Sequence, residues 1–449
     1  MRPGLSASVR RATRSARAET ANPYIGQRRQ LTVLVSFSDQ PFKEGDPLPQ
    51  WERIFNEHGL SEAPFHGSVH DYFYAQSDGL FDLTFDLYYV PLNESRKKYR
   101  STSADDENSK YLVNDLLDVL EAQHIDWSPY DWDGDGYVDQ LLIVYAGEGQ
   151  NDTYDTNTIW PHQWWLSLHD NCVARTVSSG GHDYKVDAYC CVQEQTASGS
   201  YGTFGTICHE YTHCFGFPDY YNGTTQYVGR WDLMDYGNNN DGGFCPPNYS
   251  AHERMLMGWT TPVELTRPTT VTNMAAGESY LIRNDGYDNE YYIVENRQRT
   301  GWDEALPGSG IVVFHIDYDA DIWVSIDAMA NTATRQHYTL FYANNNKSSS
   351  YQSGWAYPYA ENDSLTGTSK PAAILWHANA EGARQMSKPL SHMSVIDGLA
   401  SFHFMGGIPL AVSSPSVLHT SPSILYRLGP IYIIRCPDGE VKKVMKANM

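Results

Sequence analysis

The hydrophobic pattern of the first 150 residues predicts strands alternating with a helix. Residues 31–37 and 141–145 are continuous apolar runs rich in β-branched side chains, which is typical of buried strands. Between them, apolar residues recur with the 3.6-residue helical period over residues 109–124, so we expect an amphipathic helix there. A strand, a helix and a second strand in this order indicate an α/β arrangement for the first half.

The pattern changes after residue 259. Short alternating segments at 279–283, 290–295 and 310–315 are separated by Gly, Asn and Pro, which favours β-strands joined by turns. The second half is therefore predicted to be mostly β. Together the two halves predict an α+β fold, in which a mixed sheet with a long helix is followed by a mostly β region.

The length of the chain suggests several domains, because 449 residues exceed the usual size of one hydrophobic core. No apolar run is long enough to span a bilayer, and the Arg-rich first thirty residues contain no hydrophobic signal core. We expect either a signal upstream of this start or a protein that stays inside the cell. The expected divisions are a disordered arm or pro-segment remnant at 1–29, a first domain at 30–265, a mostly β region packed on it at 266–405, and a linker with a β-hairpin at 406–449.

Charge and cysteine content argue against certain partners and against a zinc site built from cysteines. The formal net charge of -22 argues against nucleic acid or an anionic membrane as the main partner, because both repel an acidic surface. The seven cysteines form no paired CxxC framework for zinc, and no disulfide connectivity follows from their spacing.

The strongest chemical signal is the segment His209-Glu210-Tyr-Thr-His213. On a helix, a spacing of four residues puts both imidazoles on one face, within reach of a single metal ion. Glu210 follows the first histidine, where its carboxylate can take a proton from a metal-activated water. The segment predicts a zinc site with Glu210 as the catalytic base.

A catalytic zinc site needs a third protein ligand and one open position. Gly216 and Pro218 are expected to end the helix and turn the chain back, which brings Asp219 toward the ion. Glu253, about forty residues downstream, is the alternative third ligand. Met234 is expected to form a hydrophobic floor beneath the site, unless it is ordinary core.

These residues carry a family resemblance. The segments 209–220 and 231–237 resemble the immune inhibitor A family of secreted, metzincin-like metallopeptidases, and the likeness covers roughly residues 30–320. The resemblance implies a metzincin-like peptidase domain that hydrolyses protein or peptide substrates. It also implies His209 and His213 as zinc ligands, Glu210 as the base, and Met234 as the methionine turn. Tyr236, two residues past Met234, matches a tyrosine that in some such enzymes binds zinc or steadies the oxyanion.

A second metal site is predicted in the acidic loop at 131–139. Carboxylates stand at loop positions one, three, five and nine, and Gly136 permits the sharp turn at position six. Hard oxygen ligands at this spacing suit Ca²⁺, and the similar family often carries such a loop. The alternative is a solvated acidic turn. The expected calcium ligands are Asp131, Asp133, Asp135, Asp139 and the backbone carbonyl of Tyr137.

The C-terminal segment at 429–445 resembles the closing hairpin of a type IX secretion sorting domain, although an ordinary β-hairpin explains it nearly as well. The sorting interpretation implies contact with secretion machinery and delivery outside the cell or to its surface.

His162 and His315 are expected to be structural. The leading hypothesis is a secreted zinc endopeptidase, and the alternative is a non-catalytic surface binding protein or adhesin that keeps the fold.

Overall fold

The computed structural model describes residues 22–101, 108–323 and 329–407, and three strands between residues 423 and 445. Contacts divide the chain into two units, Met1–Gly407 and Ile408–Met449. Most of the predicted N-terminal arm and of the linker after residue 405 lies outside the described residues.

A five-stranded mixed sheet organises the first half of the larger unit. The strands of this half are β1 (Gly26–Ser36), β2 (Phe81–Pro91), β3 (Tyr137–Val138), β4 (Leu141–Glu148), β5 (His162–Trp165), β6 (Arg175–Ser179), β7 (His182–Val186) and β8 (Ala188–Gln195). The five-stranded sheet has the order β2-β1-β4-β8-β5, with parallel pairing except at the edge, where β5 runs antiparallel to β8. The other strands form a small sheet of order β3-β7-β6.

Helices are few and mostly short in the described residues. Two of them begin with a capping box, in which a serine and an acidic residue three positions later bond each other's backbone amides. None is both long and apolar enough to cross a lipid bilayer. The helices are α1 (Leu48–Asn56), α2 (Val69–Gln76), α3 (Ser109–Ala122), α4 (Gln150–Thr153), α5 (Phe204–Cys214), α6 (Ala251–Leu256) and α7 (Ala320–Trp323).

The mixed sheet is covered on both faces, which explains its continuous apolar strands. Along β1, Leu34 packs into the core that contains α5, whereas Val33 and Val35 point to the opposite face and the core that contains α3. The leucines of α3 recur with the helical period and are fully buried. The sheet is therefore a rigid platform that holds α5 on one of its faces.

The second half of the larger unit is built from antiparallel strands. The strands are β9 (Val263–Glu264), β10 (Thr269–Met274), β11 (Ser279–Arg283), β12 (Glu290–Arg297), β13 (Gly310–Asp317), β14 (Tyr338–Leu340), β15 (Leu390–Ile396) and β16 (Leu399–Phe404). One sheet has the order β14-β13-β12-β11-β9 and another the order β10-β16-β15. Apolar residues of β12 and β13 belong to the same core as α5, so this region helps to bury the helix.

The smaller unit contains β17 (Ser423–Leu428), β18 (Ile431–Arg435) and β19 (Val441–Met445), which form one antiparallel sheet. The predicted hairpin is present as β18 and β19. The structure adds β17, a strand that the sequence does not predict.

The fold is a mixed α/β structure with several sheets and few helices. The strands predicted in both halves are present, and the helix predicted at 109–124 ends at Ala122. The first strand begins at Gly26, five residues earlier than predicted. The reason is that its polar first residues also pair with β2, beginning with Gly26 opposite Phe81.

Candidate active site

Helix α5 presents the histidine pair. Ile207, Cys208 and Tyr211 are buried in the apolar core and fix the helix on the mixed sheet. His209 and His213 lie one turn apart, and their ring centroids are 4.8 Å from each other at an interplanar angle of 88°. The spacing of four residues thus brings the two rings together, as the sequence predicts.

The end of α5 turns the chain back toward the histidines. Gly216 adopts a φ of +91°, which favours glycine, and its amide donates to the His213 carbonyl at 2.8 Å. The ring of His213 donates from Nδ1 to the Phe217 carbonyl at 2.7 Å. Asp219 follows two residues later and directs its carboxylate to the histidine pair.

Three donor atoms converge at this point. Oδ1 of Asp219 lies 3.2 Å from Nε2 of His209 and 3.4 Å from Nε2 of His213. The ligand atoms of the three residues all lie within 4.8 Å of one another, and Oδ1 has no partner in hydrogen-bond geometry among the described residues. Such a group of two imidazoles and a carboxylate can hold a metal ion.

The electrostatics of the cluster favour a bound cation. Burial tends to lower the pKa of His209, but the adjacent Asp219 carboxylate and the charge of Glu210 outweigh it and raise the pKa to about 9. Burial likewise tends to raise the pKa of Asp219, but the charges of His213 and His209 lower it below its usual range. The carboxylate therefore stays ionised and draws positive charge to the cluster.

Glu210 is buried beside this cluster, with 8% of the residue exposed. Burial raises the pKa of its carboxyl group, although the neighbouring charges of His209 and His213 act to lower it. A carboxylate with a raised pKa is a stronger base, so the environment of Glu210 suits proton transfer.

The segment at residues 231–237 lies beneath the histidine cluster and is hydrogen-bonded to it. Leu233 and Met234 are fully buried, and the Leu233 carbonyl accepts a 2.9 Å hydrogen bond from Nδ1 of His209. The amide of Tyr220 donates to the Met234 carbonyl at 2.8 Å, which ties the segment to the residue after Asp219. The carboxylate of Asp235 accepts three backbone amides, each at 2.8 Å, and so fixes the turn that precedes it.

Tyr221, rather than the predicted Tyr236, stacks on a histidine of the cluster. Tyr236 is 44% exposed, and its hydrogen bonds in the described part of the chain run through its backbone. Tyr221 instead stacks on His209, with ring centroids 6.4 Å apart. Burial raises the pKa of Tyr221, and the charges of Asp219 and Glu210 raise it further, so its hydroxyl stays protonated beside them. Sequence reasoning missed this residue, although its position two residues past Asp219 was a usable signal.

Glu253, the alternative third ligand, caps a helix instead of contacting the histidines. Glu253 is the acidic member of the α6 capping box, where its Oε2 accepts from the Ser250 amide at 2.7 Å and from the Ser250 hydroxyl at 3.0 Å. It does not belong to the histidine cluster found among the described residues. His162 and His315 have protein partners, the Trp160 carbonyl at 2.7 Å and Glu290 at 2.7 Å.

The acidic loop at 131–139 gathers carboxylates without bringing all of them to one point. Ligand atoms of Asp131, Asp133 and Asp139 lie within 4.8 Å of one another, whereas Oδ1 of Asp135 accepts the Tyr137 amide at 2.9 Å. Burial raises the pKa of Asp131, as do the charges of Asp135 and Asp133. The loop thus concentrates negative charge at three of the predicted side chains.

Comparison with known proteins assigns the family. The sequence model of the immune inhibitor A peptidase M6 catalytic domain matches residues 25–254, slightly more than half of the chain. The chain belongs to the immune inhibitor A peptidase M6 family. The matched range contains the whole histidine cluster and the segment beneath it. Membership of this metallopeptidase family implies a catalytic metal.

The relatives are distant. Immune inhibitor A of Bacillus thuringiensis subsp. alesti is 27% identical over 182 residues, which cover 35% of this chain and 25% of the relative. The pre-pro-metalloprotease PrtV of Vibrio cholerae serotype O1 is 22% identical over 281 residues, which cover 52% of this chain and 30% of PrtV. This chain therefore spans less than a third of the length of these relatives.

Among solved structures, the wild-type OgpA crystal structure from Akkermansia muciniphila matches 60% of this chain and 71% of its own. Its TM-score is 0.32 at 12% sequence identity, so the likeness is remote.

Proposed function

We propose that this M6 protein is a zinc-dependent endopeptidase that cleaves peptide bonds in protein substrates. The observation that carries the proposal is the convergence of His209, His213 and Asp219 on one point, beside the buried carboxylate of Glu210. A metzincin-like arrangement is part of the proposal, with Met234 buried in the segment beneath the cluster.

The separations within the cluster support zinc. Ligand atoms in a tetrahedral zinc site lie about 2.0–2.1 Å from the ion, and such ligands are about 3.3 Å from each other. The distances of 3.2 and 3.4 Å from Asp219 Oδ1 to the two histidine Nε2 atoms agree with that spacing. Both Nδ1 atoms are bonded to backbone carbonyls, so both Nε2 atoms are available as ligands.

Glu210 moves the proton in the proposed reaction. Zinc held by His209, His213 and Asp219 supplies Lewis acidity, which polarises the scissile carbonyl and makes an attacking water more acidic. The Glu210 carboxylate accepts a proton from that water and later delivers it to the leaving amine nitrogen. The phenol of Tyr221, held beside Asp219 and Glu210, is the group in this cluster suited to donate a hydrogen bond to a developing oxyanion.

The acidic loop is proposed to bind a structural calcium ion. The gathered oxygens of Asp131, Asp133 and Asp139 support this role, since hard carboxylate ligands suit Ca²⁺. Asp135 and the Tyr137 carbonyl remain proposed ligands. The loop leads directly into β4, so a bound ion would brace the sheet that carries α5.

Export is proposed as well, with the protein acting outside the cell or at its surface. The resemblance of residues 429–445 to a type IX sorting hairpin supports this proposal, and it makes secretion machinery a partner. Fusing residues 408–449 to a reporter protein in a host that has this secretion system tests the idea. A reporter that stays inside the cell would remove the sorting role.

Hydrolysis of casein tests the proposed activity. Purified protein should cleave casein, a zinc chelator should stop the cleavage, and added zinc should restore it. His209→Ala removes a proposed ligand and should abolish the activity together with one equivalent of bound zinc, whereas His182→Ala changes an exposed histidine and should alter neither. Cleavage that continues in His209→Ala protein that has lost this equivalent would contradict the proposal.

A further inference from the structure

We propose that His58, His70 and Asp71 form a second binding site for a zinc-like divalent transition metal. The site lies where the chain leaves α1 and enters α2. It shares no ligand with the cluster at His209, and its role would be to fasten the segment after α1 to the start of α2.

The three side chains already stand at ligand spacing. One donor atom from each lies within 4.8 Å of the other two. The ring centroids of His58 and His70 are 4.1 Å apart at an interplanar angle of 65°. Oδ1 of Asp71 lies 3.7 Å from Nδ1 of His70, which is too far for a hydrogen bond.

His70 is the residue that points to a ligand. Only 3% of it is exposed, and its buried Nδ1 has no hydrogen-bond partner in the part of the chain that the structure describes. Its other nitrogen, Nε2, lies 3.0 Å from Oδ1 of Asp82. A buried polar atom without a partner is costly, and a bound metal would remove that cost.

The pair of His70 and Asp82 has the form of a supported metal ligand. Histidines that bind metals usually donate their second ring N–H to a carboxylate, which fixes the tautomer and makes the ligand more basic. Oδ1 of Asp82, 3.0 Å from Nε2 of His70, is placed to accept that N–H. The lone pair of His70 then sits on Nδ1, which lies 3.7 Å from Oδ1 of Asp71.

Asp71 is held by two hydrogen bonds in an orientation that suits metal binding. Its Oδ2 accepts the amide of Ser68 at 3.0 Å in the α2 capping box, and the amide of Gly59 at 2.8 Å. Because Gly59 directly follows His58, this second bond also holds the His58 segment against the helix. The oxygen nearer His70 is Oδ1, which these two amides leave available.

The donor set selects the class of ion. Imidazole nitrogens suit zinc, copper and nickel, whereas magnesium and calcium prefer sets made entirely of oxygen. Three protein ligands leave a further coordination position, and His58 is exposed, so the ion can enter from solvent. We therefore expect zinc to bind in the presence of saturating calcium.

Zinc stoichiometry tests the site in the full chain. Each protein is dialysed against buffered zinc with excess calcium, and bound zinc is counted by mass spectrometry. Wild type and the control His182→Ala should hold the same amount, and His58→Ala should hold one equivalent less. His70→Gln should lose the same equivalent, provided that circular dichroism shows it folded. His58 is exposed, so His58→Ala keeps the test valid if His70→Gln does not fold.

The background of His209→Ala separates this site from the proposed active site. There, adding His58→Ala should still remove one equivalent, whether or not the first cluster binds zinc. Equal zinc in His58→Ala and His182→Ala would overturn the proposal. A loss in His58→Ala without a loss in folded His70→Gln would also overturn it, because the ion would then be bound by the exposed histidine alone.

Discussion

The ring of His209 donates a 2.9 Å hydrogen bond from Nδ1 to the backbone carbonyl of Leu233. A carbonyl oxygen can only accept, so the bond keeps a proton on Nδ1 and leaves Nε2, which faces Asp219, as the ring nitrogen that can bind a metal. His213 repeats the arrangement with the Phe217 carbonyl at 2.7 Å. The segments on either side of Asp219 therefore set the tautomers of both proposed ligands.

Replacing the third ligand should release the metal. Asp219→Asn keeps the shape of the side chain but removes its charge. The zinc affinity of the histidine cluster should therefore fall by about tenfold to a hundredfold. Glu253→Gln is the matched control, because Glu253 is the alternative third ligand. Its zinc affinity should stay close to that of wild type, since Glu253 serves the α6 cap. Competition with a chromophoric chelator measures both affinities, and the reverse order would assign the ligand role to Glu253.

The two tyrosines should differ in catalysis. Tyr221→Phe removes the hydroxyl beside Asp219 and Glu210, so kcat should fall by roughly tenfold to a hundredfold with little change in KM. Tyr236→Phe changes an exposed side chain and should leave kcat nearly unchanged. Rates on a fluorogenic peptide distinguish the two. A large loss in Tyr236→Phe alone would restore the role that the family resemblance implied.

Local spacing explains why the histidine pair was predictable from the sequence. His209 and His213 are four residues apart, so helix geometry alone makes them neighbours. Gly216 ends the turn because few other residues tolerate its positive φ, and Asp219 is only six residues from His213. The buried strands β1 and β4 were equally predictable, because a sheet covered on both faces needs continuous apolar runs.

Features that depend on distant contacts could not be predicted in the same way. Tyr221 rather than Tyr236 meets His209 because the turn at 232–235 is bonded to Tyr220, and the sequence does not reveal that bond. His58 and His70 are twelve positions apart and belong to no helical repeat, so only the packing of α1 and α2 brings them together.

Calcium should stabilise the protein through the acidic loop. A ligand at a hundred times its Kd stabilises the folded state by about 2.7 kcal/mol, so saturating calcium should raise the melting temperature and a calcium chelator should lower it. Asp133→Asn should weaken this response. Asp170→Asn, which removes an exposed carboxylate elsewhere, should keep it. Calorimetry with and without calcium measures the effect, and a response that survives in Asp133→Asn would argue for a solvated turn.

His252 should make the protein less stable in acid. Burial lowers the pKa of this histidine from 6.5 to about 3, so between those values the unfolded chain binds a proton that the folded chain does not. Stability from this residue is therefore present above pH 6.5 and is lost as the pH falls toward 3, by about 1.4 kcal/mol per pH unit.

The control for that slope is His252→Asn, which cannot titrate and can still bond the Tyr291 hydroxyl, 2.8 Å from Nδ1 in the wild type. Urea unfolding at several pH values gives the free energy of unfolding of both proteins. The difference between them should change steadily below pH 6.5. Parallel curves would show that His252 is not the group responsible.

Glu210 is proposed to be the base beside a zinc ion that it does not itself bind. The most direct measurement is the casein-cleavage rate of Glu210→Gln, an isosteric change, together with its zinc content. We predict that the variant holds as much zinc as wild type and loses at least about a thousandfold in rate, because proton transfer and water activation fail together. Full zinc with a rate near that of wild type would show that Glu210 is not the base.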